Sequence, residues 1–594
     1  MKKILALILC LVQLLACFAL SGCSQTPAEE VAEEAVDEVV VTPTPEVQAE
    51  PAFNVIYIPL DNRPINDEQV RMLAKSLRIN LMMPDVGVYA TKLNGAVNDA
   101  GLQYGDRAAI LEWLMENEDN CETMIIYLDQ LLSGGLMYSR CMEEMEPVTL
   151  SDGSVYTEYE IIDYLAQLAE DHTIYVIDSQ LRLATSSDYL DFSPEENIIS
   201  RYYGMIPRPV LDPETATIED VIAGYTLNEQ GGEAIYNDLL SPEQVEFYMA
   251  GGEDSLLNRF LSIRERKLRL NAYAVEKLFH LENVEFFFGV DDSAVGNNVQ
   301  SGEYTYLNAL AGGQLEKLSA IDCLGELALG CVFRDYCGGE PVTVNVRFFG
   351  SEESELNYAG HTLPEAIEQV IRYCGGQWVE AGGEVDILVA CEGANAEENT
   401  ANALALAKAM AANEEAGMPT IYVDFASAVN RDILELADIT MLLSAGLHAN
   451  GSGASAIMGI SQGLARYRAL QMEGYLDDAC HKAFLEDMVF MFSKGYYWGS
   501  SYKSDMGNYI TELGLSTANM TNATDKQVKK INRALTEKIL ESSEPILENV
   551  KEGGIIVSLQ PYEERVVESV TISNCSYPWA RVFEYTAEFE AVLK

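Results

Sequence analysis

Two neighbouring carboxylates, Asp291 and Asp292, are the residues best placed for chemistry, because they end the very apolar run Phe286-Phe287-Phe288-Gly289-Val290. Low dielectric and mutual repulsion raise one pKa of such a pair and leave a proton donor beside an anion. Glycosidic cleavage requires that division of labour. The expected roles are Asp292 as general acid and Asp291 as the carboxylate that polarises the substrate or stabilises charge. Adjacent strand residues face opposite ways, so both reach one ligand only if the strand has ended by Asp291. A metal pair or a capped turn is the alternative use of the same two residues.

Three further constellations offer binding groups. In Ile58-Pro59-Leu60-Asp61-Asn62-Arg63-Pro64-Ile65-Asn66, a strand delivers Asp61, Asn62, Arg63 and Asn66 into a Pro-bounded loop. Arg63 there can hold a carboxylate or sugar hydroxyls with its rigid fork, or simply clasp Asp61. The stretch from Asp129 to Arg140 contains Ser133-Gly134-Gly135, which suits a ligand cradle or a tight turn. Arg182, shortly after Asp178, adds a positive contact. Asp424 is followed by Ser444-Ala445-Gly446-Leu447-His448-Ala449-Asn450-Gly451-Ser452-Gly453. Small residues there make room for a ligand beside His448 and Asn450, or connect a strand to a helix. No phosphate loop ending in Gly-Lys-Ser/Thr occurs, and no GxGxxG follows a strand, so no cofactor is implied. Neither HExxH nor CxxC occurs, so no metal ligand set is expected. Nine of the 12 cysteines lie beyond Cys23, an odd number in a long chain that does not read as a disulfide framework.

These groups need elements to position them. Strand candidates are Val55–Ile58, Asn80–Met83, Met124–Leu128, Thr173–Ile177, Val284–Phe288, Val344–Phe348, Ile387–Ala390, Thr420–Val423 and Thr440–Leu443. Helical patterns fall at Asp67–Leu77, Tyr159–Leu168, Leu256–Phe279, Leu363–Tyr373 and Thr400–Ala412. Near-continuous apolar strands alternating with helices predict an α/β fold with parallel sheet covered on both faces. It is either (β/α)8-barrel-like or two doubly wound domains in series. The Gly and Pro residues of Cys337–Pro341 set a boundary, giving domains at 53–338 and 339–594. Acidic residues recur just past the carboxyl ends of these strands, among them Asp61, Asp85, Asp129, Asp178, Asp291 and Asp424. In parallel α/β folds that end carries the ligand site. Helix capping is the competing use of each.

The first 52 residues predict location. Lys2 and Lys3, the apolar run Ile4 to Leu20 and the ending Leu20-Ser21-Gly22-Cys23 look like a lipoprotein signal (1–22), with Cys23 as the lipidated residue. A membrane-spanning anchor is the alternative. Residues 23–52 are rich in Glu, Ala, Val, Thr and Pro, lack Lys and Arg, and read as an acidic flexible stalk. The expected home is the extracytoplasmic membrane face, reached through the lipid alone. A net charge of −55 over 594 residues repels phosphate backbones, so nucleic acid is not an expected partner.

Several segments carry a family resemblance. They are Tyr57-to-Asn66 (YIPLDNRPIN), Leu128-to-Arg140 (LDQLLSGGLMYSR), Val290-to-Gly296 (VDDSAVG), Asp424-to-Leu434 and Tyr577-to-Glu584 (YPWARVFE). With these the chain resembles the bacterial family called domain of unknown function 4127, along nearly the whole mature sequence. Relatives carry a Trp-Asn pair where this chain has Leu447-His448. The family name implies no activity. The paired Asp after an apolar strand is also similar to bacterial O-GlcNAcase-type hexosaminidases, which implies substrate-assisted hydrolysis by analogy. The expectation is a surface lipoprotein that is glycoside hydrolase-like, or one that captures a carbohydrate or cell-wall glycan without chemistry. Metal-dependent hydrolysis on the acidic rim is a third.

Overall fold

Alternating apolar side chains divide the first sheet between two cores. Ile56, Ile58, Met124, Ile126, Ile174, Val176, Phe286 and Phe288 fall in one, and Val55, Tyr57, Ile125, Tyr127, Tyr175, Ile177 and Phe287 in the other. Both faces are covered by helices, which is why these strands read as continuous apolar runs. The computed structural model describes residues 50–92, 96–186, 194–226, 241, 243, 256–293, 296–352, 362–426, 442–447, 453–499, 502–553 and 566–593. The signal, Cys23, the stalk up to residue 49, His448 and Asn450 lie outside the described residues.

The strands are β1 (Phe53–Ile58), β2 (Ile79–Met82), β3 (Thr123–Tyr127), the short antiparallel ribbon β4 (Val148–Thr149) and β5 (Val155–Tyr156), then β6 (Thr173–Gln180), β7 (Val284–Val290) and β8 (Lys317–Ser319). There follow β9 (Val342–Phe349), β10 (Gly376–Trp378), β11 (Val385–Ala390), β12 (Thr420–Asp424) and β13 (Leu442–Leu447), and last β14 (Val567–Ser576) and β15 (Thr586–Leu593). A six-stranded sheet has the order β2-β1-β3-β6-β7-β8 and a five-stranded sheet the order β10-β9-β11-β12-β13. Every pairing within the two is parallel. Both sheets are open, so the doubly wound alternative forms and the closed barrel does not. In each, the first strand sits inside with its successor on one side and the rest on the other. That reversal is the crevice where doubly wound sheets bind ligands.

The core shared by Tyr57, Tyr127 and Tyr175 continues into the second sheet through Val344, Ile387, Val389 and Tyr422. The helix Leu324–Cys337 lies between the sheets in sequence and packs on the helix Gly453–Gln471, behind β13. Of the strand expected at Thr440–Leu443, residues 440 and 441 lie outside the described residues, and the strand continues past Leu443 to Leu447. Ser444-Ala445-Gly446-Leu447 is therefore strand, not ligand-facing loop. Its small residues admit the helix behind it: a Cβ on Gly446 would stand 1.9 Å from the Ser455 carbonyl oxygen. The edge strands β8 and β10 escape a sequence reading because each is three residues long. After the long helix Asp525–Gly553, β14 and β15 pair as an antiparallel hairpin that packs on that helix. Its connecting loop, residues 577–585, reaches back to the carboxyl edge of the six-stranded sheet.

Candidate functional site

Asp61 follows β1 and is fully buried. It accepts from the Arg63 backbone N–H at 3.0 Å, from Arg63 Nε at 3.0 Å, from Arg63 Nη2 at 2.8 Å and from Asn66 Nδ2 at 3.0 Å. The clasp between Asp61 and Arg63 thus exists. Arg63 still reaches outward, donating through Nη2 to Asp322 Oδ1 at 2.5 Å. Asp322 sits just past β8, in a short turn opened by Ala320 at φ 66. Tyr127 steadies that turn, donating to the Ile321 carbonyl at 3.1 Å and accepting from the Gly325 N–H at 2.8 Å.

Arg140 is aimed by the glycine pair. Gly134 (φ 78) and Gly135 (φ 120) end the helix Leu128–Ser133 and start the short helix Leu136–Ser139, at whose end Arg140 stands. A Cβ on Gly134 would stand 2.7 Å from the Gly105 carbonyl, so the pair makes a tight turn. From there Arg140 holds Asp291 as a bidentate fork, Nε to Oδ2 at 2.6 Å and Nη2 to Oδ1 at 2.6 Å. Both partners are buried. β7 ends at Val290, so face alternation no longer separates the two acids. Asp292 adopts φ 33, in the left-handed region that Asp tolerates better than most residues. Its carboxylate meets Arg182 Nη2 at 2.8 Å, and its side chain is 47% exposed.

Burial pushes the Asp291 carboxyl up to about 6. Arg140 pulls it down, Asp292 and Asp322 push it up, and Arg182 pulls it down. The acid with the displaced pKa is thus Asp291, and near neutral pH the Arg140 fork engages it as an anion. Gln300 holds the loop below, donating to the Asp291 and Leu181 carbonyls at 3.3 and 2.9 Å.

Not every residue expected at the rim belongs to an open site. Asp129 and Asp178 share Lys267, whose Nζ lies 2.8 Å from an oxygen of each, and Asn271 donates to Asp178 at 2.7 Å. All four are buried. This is a closed ionic knot that ties the helix Leu256–Leu278 to β3 and β6. Asp178 lies within β6 rather than after it. Asp85 caps the helix Val86–Tyr89, accepting from Gly87 N–H at 2.8 Å. Asn62 is used internally, accepting from the Thr91 N–H and from Trp579 Nε1, both at 3.0 Å. Asp424 ends β12 of the other sheet, buried, and accepts from the Ala426 N–H at 2.8 Å.

Sequence spacing did not indicate Asp322, Trp579, Arg581 or Glu584 as site residues. The last three come from the hairpin loop, within the segment YPWARVFE. Trp579 packs with Met137, Cys141, Leu181 and Ile263, beside the Arg140 turn. Arg63 lies 4.8 Å and Arg581 5.0 Å from its ring centroid. The signal that could have found this loop is its density of Trp, Arg and Glu in a segment with family resemblance. Among the described residues no three His, Cys, Asp or Glu side chains converge as a metal site. Each of Asp61, Asp291, Asp292 and Asp322 instead faces a guanidinium.

These features define an open, parallel α/β protein with an arginine–carboxylate rim at the carboxyl edge of its larger sheet. Residues 55–205 match the model of a family described as a protein of unknown function (DUF4127), the family that the motifs resemble. That stretch holds both the Asp61 loop and the Arg140 turn. No curated protein and no solved structure matches the chain.

Proposed function

We propose that the protein is a lipid-anchored, extracytoplasmic glycan-binding protein whose ligand sits against this rim. The observation that supports the reading is the set of preformed ion pairs that stay partly open, Arg182–Asp292 and Arg63–Asp322. Asp292 is 47% and Asp322 33% exposed, and Arg63 is held from below by Asp61. A guanidinium beside a carboxylate offers donors and acceptors in fixed directions, which suits sugar hydroxyls that both give and accept hydrogen bonds. The lipobox-like ending at Cys23 and the acidic stalk would hold such a site away from the membrane.

Glycosidic hydrolysis is the second reading, favoured by the openness of Asp292 beside the clamped Asp291, although the raised pKa falls on Asp291 and not on the expected proton donor. Asp291, clamped by Arg140, would remain an anion and stabilise positive charge developing on the sugar. Asp292, the open member, would deliver the proton to the leaving oxygen. That step requires Asp292 to leave Arg182 and become protonated, a rearrangement that capture alone does not need.

The test uses the unit Gln48–Lys594 with aryl glycosides and cell-wall oligosaccharides, following binding by calorimetry and cleavage by product analysis. Saturable binding without turnover, weakened in Asp292→Asn, supports capture. Turnover that disappears in Asp292→Asn establishes the hydrolase. Neither binding nor turnover with any saccharide sinks both.

A further inference from the structure

We propose that Arg581 is the receptor for an oxyanion carried by the glycan, so that the ligand class is an acidic saccharide bearing a carboxylate or a phosphate. This inference rests on the glycan reading above and names its ligand class.

Arg63 is paired with Asp61 and Asp322, Arg140 with Asp291, and Arg182 with Asp292. Arg581 is the arginine left over: it makes no ion pair among the described residues, and its buried Nε has no hydrogen-bond partner. Its guanidinium lies 5.0 Å from the centroid of Trp579 and 4.7 Å from that of Phe583. Rings attract a cation through their faces but accept none of its in-plane N–H donors. Burial lowers the Arg581 pKa to about 10; the charges of Arg63 and Arg140 push the same way, while Glu584 and Asp61 oppose them. A half-buried guanidinium whose donors meet no acceptor among the described residues is suited to take an oxyanion.

Glu584 is the internal candidate. It is buried and its charge favours Arg581, yet it forms no ion pair with it, and its own Oε2 lacks a hydrogen bond. The planar donor fork of Arg581 therefore remains unused, a few residues from the Trp579 indole that binds Asn62. Such a fork matches two oxygens of a carboxylate or phosphate. The acidic surface of the molecule gives an anion no general welcome, so discrimination for an acidic ligand must come from a local cation of this kind.

The experiment is calorimetric titration of the protein with neutral oligosaccharides, uronic-acid oligosaccharides of equal length, sugar phosphates and inorganic phosphate. It is repeated on Arg581→Gln and Glu584→Gln, with thermal denaturation to confirm folding. The expected result is acidic ligands bound at least about tenfold more tightly than neutral ones, a ratio that collapses in Arg581→Gln and grows in Glu584→Gln. A uronate preference assigns the carboxylate, and a sugar-phosphate preference assigns the phosphate. Equal affinity for neutral and acidic saccharides overturns the inference while leaving the glycan reading in place. So does a preference that persists in Arg581→Gln, or a Glu584→Gln variant that is markedly destabilised with no gain in anion binding, since Arg581 then serves Glu584. Inorganic phosphate bound through Arg581, with no saccharide bound, overturns the glycan reading and keeps the receptor.

Discussion

Asp291 and Asp292 adjoin in sequence, yet the same substitution should affect them differently. Asp291→Asn strips the counter-ion from buried Arg140 and is expected to cost about 3 kcal/mol of stability in chemical denaturation. Asp292→Asn breaks a pair whose acid is 47% exposed and should cost less than about 1 kcal/mol. Equal losses would mean that Arg140 finds another partner. The consequence for any functional assay is practical: Asp292→Asn is a clean probe, whereas Asp291→Asn needs a folding control. At this scale the sequence disclosed the Asp61–Arg63 pair, because a single residue separates the partners and a Pro bounds the loop. It disclosed neither Asn62 with Trp579 nor Arg63 with Asp322. Those partners are 517 and 259 positions apart, and only the folded chain brings them together.

Among the elements, the helices between and beside the sheets bury titratable groups that the rim does not use. Burial pushes Glu326 to about 8, Asp487 to about 7 and Glu68 to about 7. Repulsion from Asp487 adds to Glu326, and Lys494 pulls all three down. Unfolded carboxyls titrate near ~4, so between about pH 4 and 8 the unfolded chain sheds protons that the folded one keeps. Stability should therefore fall as pH rises from 5 to 8, and Glu326→Gln should flatten that fall by on the order of 2 kcal/mol in urea titrations. A urea midpoint that rises over the same range would refute it. A second expectation belongs to β13: Gly446→Ala should destabilise by about 2 kcal/mol or more, since the added carbon meets backbone rather than a yielding side chain. Tolerance of the alanine would restore the idea that these small residues face a ligand. Most strands and helices were legible here from apolar runs and helical spacing. The helix expected at Leu363–Tyr373 runs over those residues, and the one expected at Thr400–Ala412 extends to Ala396–Ala416. The end of β13 was set too early because Ser444, Ala445 and Gly446 resemble loop residues, and their role as a seat for the helix behind depends on contacts that spacing does not encode.

For the molecule as a whole, 93 acidic residues against 38 basic ones leave a net charge of −55, while buried ion pairs consume several of the arginines. Exposed charges of one sign repel more in the folded state, and salt screens them over about 10 Å at 0.1 M. Raising sodium chloride from about 20 to 200 mM should therefore raise the melting temperature, and a fall would mean that screened attractions outweigh repulsion. The hairpin loop carries a different kind of consequence. Asn62 is laid down early in synthesis and its partner Trp579 517 residues later, so the rim stays unfinished for nearly the whole time the chain is being made. A nascent or proteolytically shortened chain can own every strand of the six-stranded sheet and still lack Trp579, Arg581 and Glu584. Capture by the proposed site would then depend on an intact polypeptide, because a fragment lost from the tail takes Trp579, Arg581 and Glu584 with it.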